Sequence, residues 1–368
     1  MADYYSNSFG SRKKRRRKTL SSKALTLFLC DAVATALMLL LVISTFTTII
    51  CQYITPEKSG FLSVLAIGAP IIYLLDIVVM FYWIVRWRWY RALAMIVVVL
   101  TGLCYVSRYY KFDIERHYDV SFKERRYTKI MTYNVCEGRA EGLSDYIAKH
   151  NPDILCVQEM YTGSDNWRAL AEKYKSTDVS VPYNGGNHIL TKYRILRSGE
   201  VPNLERRNGV WADIKIKEDT VRVVSLHLQS TSIRSNDIHF LEQHGYITDT
   251  ARDGKLRSIV GRLEENNAKR AAQALAVRDF VKKTPYKSIV CGDFNDVPLS
   301  YTYNIIAKPF TDTFSEKASG FAYTYDTKYA LLRIDNILVS PVFEVVSYEV
   351  DNEVKFSDHY PVVSRIKF

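Results

Sequence analysis

Apolar and polar positions follow two different patterns along this chain, and the change falls near residue 128. Before it, apolar stretches are long and nearly unbroken. No charged residue occurs between Asp31 and Glu57, Phe61 to Val85 carries only Asp76, and a third stretch is uncharged from Ala92 to Ser107. A bilayer-spanning helix needs about 20 apolar residues at a rise of about 1.5 Å each. The pattern therefore predicts three transmembrane helices, at about 30–53, 61–85 and 89–109 within a 23–109 segment. Trp87, Trp89, Tyr90, Tyr109 and Tyr110 supply interfacial aromatics around the third. Asp31 and Asp76 read as groups that pack helix against helix, with a proton relay as the alternative.

After a mixed-charge linker over 110–127, the period shortens. Strand-like runs rich in Val, Ile, Tyr and Leu appear at KIMTYNV, DILCVQEM, HILTKYRIL, VWADIKI, VRVVSLHLQ, SIVCGDFN, RIDNILVS and HYPVVSRIKF. Helical spacing marks about Asn266 to Lys283, and a shorter helix is predicted over Gly142–His150, stopping before Pro152. Many short strands with interspersed helices make residues 128–368 one α/β (α+β) sandwich domain.

Charge sharpens this division. Nearly all of the net charge of +11 lies before residue 128, much of it in the run Arg12 to Lys18 of a basic 1–22 tail. Beside an apolar stretch, such a run reads as a positive-inside flank, with a nucleic-acid arm as the alternative. The tail and the loop holding Arg86, Arg88 and Arg91 are then cytoplasmic, and three crossings put residues 128–368 outside the cytoplasm of a plasma or inner membrane. The first stretch is too long for a cleaved signal peptide. Six cysteines without a CxxC pair suggest neither a zinc site nor a disulfide framework.

The strand-like runs end in chemistry-bearing side chains: Asn134, Glu159, His227, Asp293, Asn295, Asp335, Asp358 and His359. Any one alone caps a turn more often than it catalyses. Gathered on one rim, they would bind a hard cation. Mg²⁺ (or Mn²⁺) takes oxygen ligands, keeps several waters and leaves room for phosphate oxygens.

The ordered series MTYNV, DILCVQE, GNHILTKYRI, SLHLQ, GDFND, RIDNILV and SDHYPV resembles the endonuclease/exonuclease/phosphatase superfamily over about residues 128–368. The resemblance implies a four-layer sandwich of two packed β-sheets flanked by helices, and divalent-metal-dependent hydrolysis of a phosphate ester. It implies Glu159 as the principal metal carboxylate, with Asn134 beside it and Asp358 as a further metal or base-orienting carboxylate. Asp293 would contact the attacking water, Asn295 orient phosphate oxygens and His227 donate to a non-bridging oxygen. His359 is the expected general base, held by Asp335, with Asp293 as the alternative. Arg333 is expected either to approach a phosphate or to stand exposed on its strand, and Thr324, with Tyr323 and Tyr325, to line the cleft. His188 reads as structural, Arg270 and Gln273 as an exposed or packing helix face, and Gln229–Asn267 as a substrate-selecting flap.

The substrate reads as nucleic acid or a phospholipid or sphingolipid head group. Membrane anchoring favours lipid, and a nearly neutral catalytic part weakens the duplex-DNA case. The lipid bilayer is the other expected partner, and no protein partner is inferable. A catalytically inactive, membrane-anchored scaffold is the competing reading.

Overall fold

A computed structural model describes residues 22–57, 65–111, 127–176, 186–205, 207–231, 249–326 and 332–368. The basic run Arg12 to Lys18, most of the 110–127 linker and the middle of the Gln229–Asn267 segment lie outside the described residues.

Among the described residues, the apolar third contains the helices α1 (Ser22–Cys51), α2 (Ala69–Val85) and α3 (Trp89–Val106). Their lengths are about 45, 26 and 27 Å, against a hydrocarbon core of about 30 Å. Two of them, α1 and α3, are long and apolar enough to cross a membrane; α2, with 17 residues, is apolar but shorter. The expectation of three spanning helices is thus reduced to two candidates. Gly68 and a proline in the first turn start α2 at Ala69.

The helices pack through Leu41, Val79, Trp83, Ala92, Met95 and Val98, while Phe28, Leu40, Ile43, Leu74, Phe81, Leu93 and Leu100 remain exposed. Both aspartates of the apolar third are used in packing. Asp31 accepts from Arg86 Nε (2.8 Å) and Nη2 (3.0 Å) and from the Tyr82 hydroxyl (2.8 Å), fastening the start of α1 to the end of α2. Asp76 accepts the Thr45 hydroxyl at 2.6 Å.

Residues 128–368 build two six-stranded sheets. One contains β2 (Thr128–Glu137), β3 (Ile154–Met160), β4 (Lys175–Ser176), β5 (Gly186–Thr191), β13 (Glu344–Val350) and β14 (Val362–Lys367), in the order β13-β14-β2-β3-β5-β4. The other contains β6 (Arg194–Glu200), β7 (Gly209–Ile216), β8 (Asp219–His227), β9 (Lys287–Asp293), β10 (Thr311–Asp312) and β12 (Asp335–Val339), in the order β10-β12-β9-β8-β7-β6. A two-stranded ribbon pairs β1 (Tyr110–Lys111) with β11 (Gly320–Phe321). Strands β2 and β3 pair in parallel, as do β8 and β9.

Alternation along each strand separates the layers. Met131, Tyr133, Leu155 and Val157 face α4 (Leu143–His150) and α5 (Asp165–Lys173), meeting Leu143, Ile147, Trp167 and Leu170. Val224, Leu226, Val290 and Leu338 face α6 (Asp249–Lys282) and α7 (Tyr301–Ala307), meeting Ala274, Val277, Tyr303 and Ile306. Ile130, Ile154, Val221, Val223, Ile289 and Ile337 fill the space between the sheets. The result is two packed sheets flanked by helices.

The run HILTKYRIL is not one strand. The chain breaks after Thr191, whose hydroxyl accepts the Tyr193 N–H (3.1 Å), and β5 and β6 enter different sheets. Helix α6 begins 17 residues before the predicted helix does; its first half carries a short apolar stripe, Leu256, Ile259, Val260 and Leu263, among polar residues that the sequence reading passed over.

The helical bundle sits directly on the sandwich. Cys51, Ala66, Ala69, Tyr73 and Tyr109 share one apolar cluster with Val297, Leu299 and Ile334. Arg108 Nη1 donates to the Pro298 carbonyl (3.0 Å) and to Gln52 Oε1 (3.1 Å), and Asn304 Nδ2 donates to the Gln52 carbonyl (3.2 Å).

Candidate active site

The inner faces of the central strands are graded from apolar to polar. Along β2 the inward series is Ile130, Thr132, Asn134; along β3 it is Ile154, Cys156, Gln158; along β9, Ile289, Cys291, Asp293. On β8, Val221 and Val223 give way to Ser225 and His227. The middle level is a buried polar network. Gln158 Nε2 donates to Ser225 Oγ (3.1 Å) and Thr132 Oγ1 (3.3 Å), and Asn187 Nδ2 donates to the Ser225 carbonyl (2.9 Å). Beyond it the two sheets open into the site.

Register sets the site's floor. Asp335 on β12 and His227 on β8 both lie opposite Asp293 on β9, so three functional side chains share one level of one sheet. The facing sheet supplies Asn134 and Glu159, with His359 just ahead of β14. Glu159 adopts φ 57°, where the β3 ladder shifts register, while Cys136 and Glu137 show φ 44° and 69° at a matching irregularity in β2. These paired bulges turn the Glu159 carboxylate out of the pleat.

The groups converge closely. Asn134 Nδ2 lies 3.1 Å from Glu159 Oε1, 3.2 Å from Asp293 Oδ2 and 3.5 Å from His359 Nε2. His227 Nε2 lies 3.3 Å from Glu159 Oε1 and 3.8 Å from Asp293 Oδ2. Asn295, at φ 51°, donates its backbone N–H to Asp293 Oδ1 (2.7 Å), and its amide donates to Asp293 Oδ2 (3.1 Å) and the Leu228 carbonyl (2.9 Å). Its amide is thereby committed to holding Asp293 and the end of β8.

His359 Nδ1 lies 2.9 Å from Asp335 Oδ2; the carboxylate can only accept, so Nδ1 carries the hydrogen and Nε2 faces Asp293 Oδ2 at 3.7 Å. Burial works against charge on this ring, but the Asp335 and Asp293 carboxylates outweigh it and hold its pKa up at about 10. Burial raises Asp335 above the usual carboxylate range, against the pull of the His359 imidazolium. The Tyr325 ring meets the His359 ring edge-on at 4.8 Å. Burial, then the Asp358 carboxylate, push the Tyr325 phenol up to about 12.

Two residues named from sequence, Arg333 and Thr324, lie elsewhere, and Asp358 stands at the edge of the site beside Tyr325. Arg333 is 2% exposed and does not face the cleft: Nη2 pairs with Asp312 Oδ2 (2.9 Å), Nη1 donates to Asn336 Oδ1 (2.8 Å), and the guanidinium lies over Phe314 (4.4 Å). Thr324 is fully buried, and its Oγ1 accepts the backbone N–H groups of Ile334 (3.0 Å) and Asp335 (2.9 Å). It fixes the Asp335 strand instead of lining the cleft. Asp358 is exposed; its carboxylate accepts the Ser357 hydroxyl (3.2 Å), and among the described residues it makes no direct bond to Glu159 or Asn134. His188 is buried in contact with Trp167 (4.6 Å).

Several supporting residues escaped sequence reasoning. Asn208 braces both sides of the His227 backbone, accepting its N–H (3.0 Å) and donating Nδ2 to its carbonyl (2.8 Å). Arg270, expected on an exposed or packing face, is buried; it donates to the Gln229 carbonyl (2.6 Å) and lies 3.5 Å from Asp296 Oδ2, tying α6 to both loops of the site. Gln273 Oε1 accepts the Gln229 N–H (2.8 Å). The only sequence signal was a charged residue inside an apolar helical face.

The site residues fit a hard divalent cation. Asp293, Asp335 and His359 each offer a ligand atom within 4.8 Å of the others, but all three are buried and Asp335 is spent on His359. The Glu159 carboxylate beside them is 36% exposed, with the accessible oxygen that a partly hydrated cation requires.

A family model described as "Domain of unknown function (DUF8431)" matches residues 31–109. A search of curated proteins returned no match. Among solved structures, D. rerio TDP2 humanized by 14 mutations is 18% identical, covering 66% of this chain and 99% of that one, with a TM-score of 0.48. The 3'-5' exonuclease NExo from Neisseria meningitidis is 20% identical over 66% of this chain and 100% of its own, with a TM-score of 0.48. The mannosyl-6-phosphatase Bt3783 of Bacteroides thetaiotaomicron is 17% identical over 66% and 100%, with a TM-score of 0.44. A second family model, described as "Endonuclease/Exonuclease/phosphatase family", matches residues 131–359, well over half of the chain. The chain therefore belongs to the endonuclease/exonuclease/phosphatase family and is a phosphoesterase hydrolase.

Proposed function

We propose that this chain is a membrane-anchored, divalent-metal-dependent phosphohydrolase. Its catalytic domain, residues 128–368, stands outside the cytoplasm and attacks a phosphate ester with water. The observation that carries this reading is the meeting of Asn134, Glu159, His227, Asp293 and His359 around one space, with Asp335 behind His359. Glu159 would hold the cation, with the Asn134 amide beside it donating to the carboxylate and to the metal's waters, and Asp358 stands at the rim. When bound, a divalent cation polarises the phosphoryl group and neutralises charge on its oxygens.

Asp293, fixed by two donors from Asn295, takes the proton of the attacking water at Oδ2. This reading takes Asp293, the alternative to His359, as the base. Held at about 10 by its two carboxylates, that ring enters as an imidazolium and presents Nε2–H to phosphate oxygens. Asp335 keeps its tautomer, and His227 Nε2 donates from the other side. Both nucleic acid and a lipid head group supply the required ester. Anchoring rests on α1 and α3, with α2 completing the bundle.

The test is hydrolysis of bis(p-nitrophenyl) phosphate by the full chain with Mg²⁺, Mn²⁺ or a chelator. Asp293→Asn and His359→Ala are each expected to lower kcat by about 10²–10⁴. Glu159→Gln should raise the Mg²⁺ concentration needed for half-maximal rate. Near-normal turnover in chelator, or in both Asp293→Asn and His359→Ala, refutes the reading.

A further inference from the structure

The contact between bundle and sandwich falls at the catalytic residues themselves. Val297 and Leu299, two and four positions beyond Asn295, share the cluster with bundle residues Tyr73 and Tyr109. Ile334, immediately before Asp335, belongs to the same cluster. Tyr325 packs against that cluster and also touches the His359 ring. One side chain thus spans from the bundle's end to the proposed catalytic imidazole. Polar bonds pin the junction: Arg108 to the Pro298 carbonyl, Cys51 Sγ to the Leu299 carbonyl (3.4 Å) and Asn304 to the Gln52 carbonyl.

These contacts fix where the cleft stands. Helix α3 ends at Val106, and Tyr109 is buried at the junction. Beyond the hydrocarbon, the head-group layer is only about 5–7 Å thick on each side. Asn295 and Asp335 lie within a few chain positions of Val297, Leu299 and Ile334, which pack on the bundle's end, so the cleft stands close to that level. A polyanion, by contrast, is drawn by clustered Lys and Arg, and residues 128–368 carry almost no net charge.

We propose, resting on the phosphohydrolase reading above, that the substrate is an amphiphile: the phosphodiester of a membrane lipid, hydrolysed in the leaflet in which the bundle itself is embedded. The bundle then acts as part of the substrate site. It sets cleft height, and lateral diffusion replaces capture from solution. Water adds to phosphorus, one P–O ester bond breaks, and the leaving oxygen takes a proton. The two products are an alcohol and a phosphomonoester, one of which stays in the bilayer.

The experiment uses the full chain reconstituted in phosphatidylcholine vesicles containing, in separate preparations, sphingomyelin, phosphatidylglycerol or phosphatidylinositol. Release of the water-soluble product is followed with Mg²⁺. Parallel arms offer the same lipid in protein-free vesicles, a single-stranded DNA oligonucleotide, and bis(p-nitrophenyl) phosphate. Lipid sharing the bilayer with the protein is expected to be cleaved at least about tenfold faster than the same lipid in separate vesicles, through the effective concentration that anchoring provides. It should also be cleaved faster than DNA. Arg108→Ala, which loosens the junction without touching the site, should lower the shared-bilayer rate several-fold while the bis-aryl rate holds. If the bis-aryl ester is cleaved but DNA outpaces every lipid, or lipid in separate vesicles is cleaved equally fast, the lipid assignment falls and the phosphohydrolase reading stands. Failure to cleave the bis-aryl ester as well overturns both.

Discussion

Arg333 offers a sharp test, because its two assignments predict opposite results. An arginine two residues before Asp335 could bind a substrate phosphate, yet the side chain is buried with Asp312, itself nearly buried. The Asp312 carboxylate receives three further groups: the Tyr303 hydroxyl (2.6 Å), the Phe314 N–H (3.0 Å) and the Ser315 hydroxyl (3.3 Å). Replacing Arg333 by Met keeps much of the volume over Phe314 but leaves Asp312 charged and unpaired in the interior. Removing one partner of such a buried pair costs about 3–5 kcal/mol. In a unit of this size that corresponds to a fall in Tm of about 6–20 °C. The assay is thermal unfolding of the detergent-solubilised chain, with kcat and KM measured well below Tm. Arg333→Met should unfold early and keep its KM. The double variant Arg333→Met/Asp312→Asn should recover much of the loss, because Asn retains an acceptor for the Phe314 N–H without a buried charge. Unchanged Tm with a raised KM would return Arg333 to the substrate.

Four further outcomes follow from geometry. In chelator, the His359 ring should titrate near 10 by NMR of labelled histidine, and Asp335→Asn should bring it down toward the ordinary 6.5; a wild-type ring titrating at 6.5 contradicts the assignment. Because the folded value is the raised one, the ring's stabilising contribution is complete below about 6.5 and is lost as pH rises through about 10. Metal-free wild type should therefore lose Tm over that window, and Asp335→Asn should lose less. Gly292 has φ 129°, and a Cβ there would collide with the Leu226 carbonyl oxygen, so Gly292→Ala should lower stability by at least about 1–3 kcal/mol in denaturant titrations. Gly261 lies in α6 with open space around it, so Gly261→Ala should gain about 0.5–1 kcal/mol; a loss would show that this helical face is covered.

The sequence made the site legible because strands ending in Asn, Glu, His or Asp are conspicuous against apolar runs. Parity along a strand also tells which residues share a face, so Ile289, Cys291 and Asp293 could be read as one row. What stayed hidden was pairing between distant positions. Arg333 read as approaching a phosphate or exposed, and Arg270 as exposed or packing, and neither partner was named, because their carboxylates, Asp312 and Asp296, stand 21 and 26 residues away. Asn187 and Asn208 were silent because an amide serving a backbone or a neighbouring hydroxyl looks like any loop residue. Strand β13 was missed because EVVSYEV mixes charge into its exposed positions. The β5/β6 break was missed because HILTKYRIL is apolar on both sides of its turn. Asp31 was read as packing helix against helix, but its partner Arg86 was read only as a charge of the loop after α2.

The parallel pairing of β2 with β3 and of β8 with β9 has a consequence for how this scaffold changes over time. Parallel neighbours run the same way, so Asn134, Glu159, His227 and Asp293 all emerge at carboxyl ends, on one side of the molecule. Segments leaving those ends can lengthen, shorten or exchange side chains and thereby alter which ester is admitted, while the turns on the opposite side only keep the layers together. Selection for new chemistry and selection for durability thus act on separate stretches of the same polypeptide, and neither needs to wait on the other.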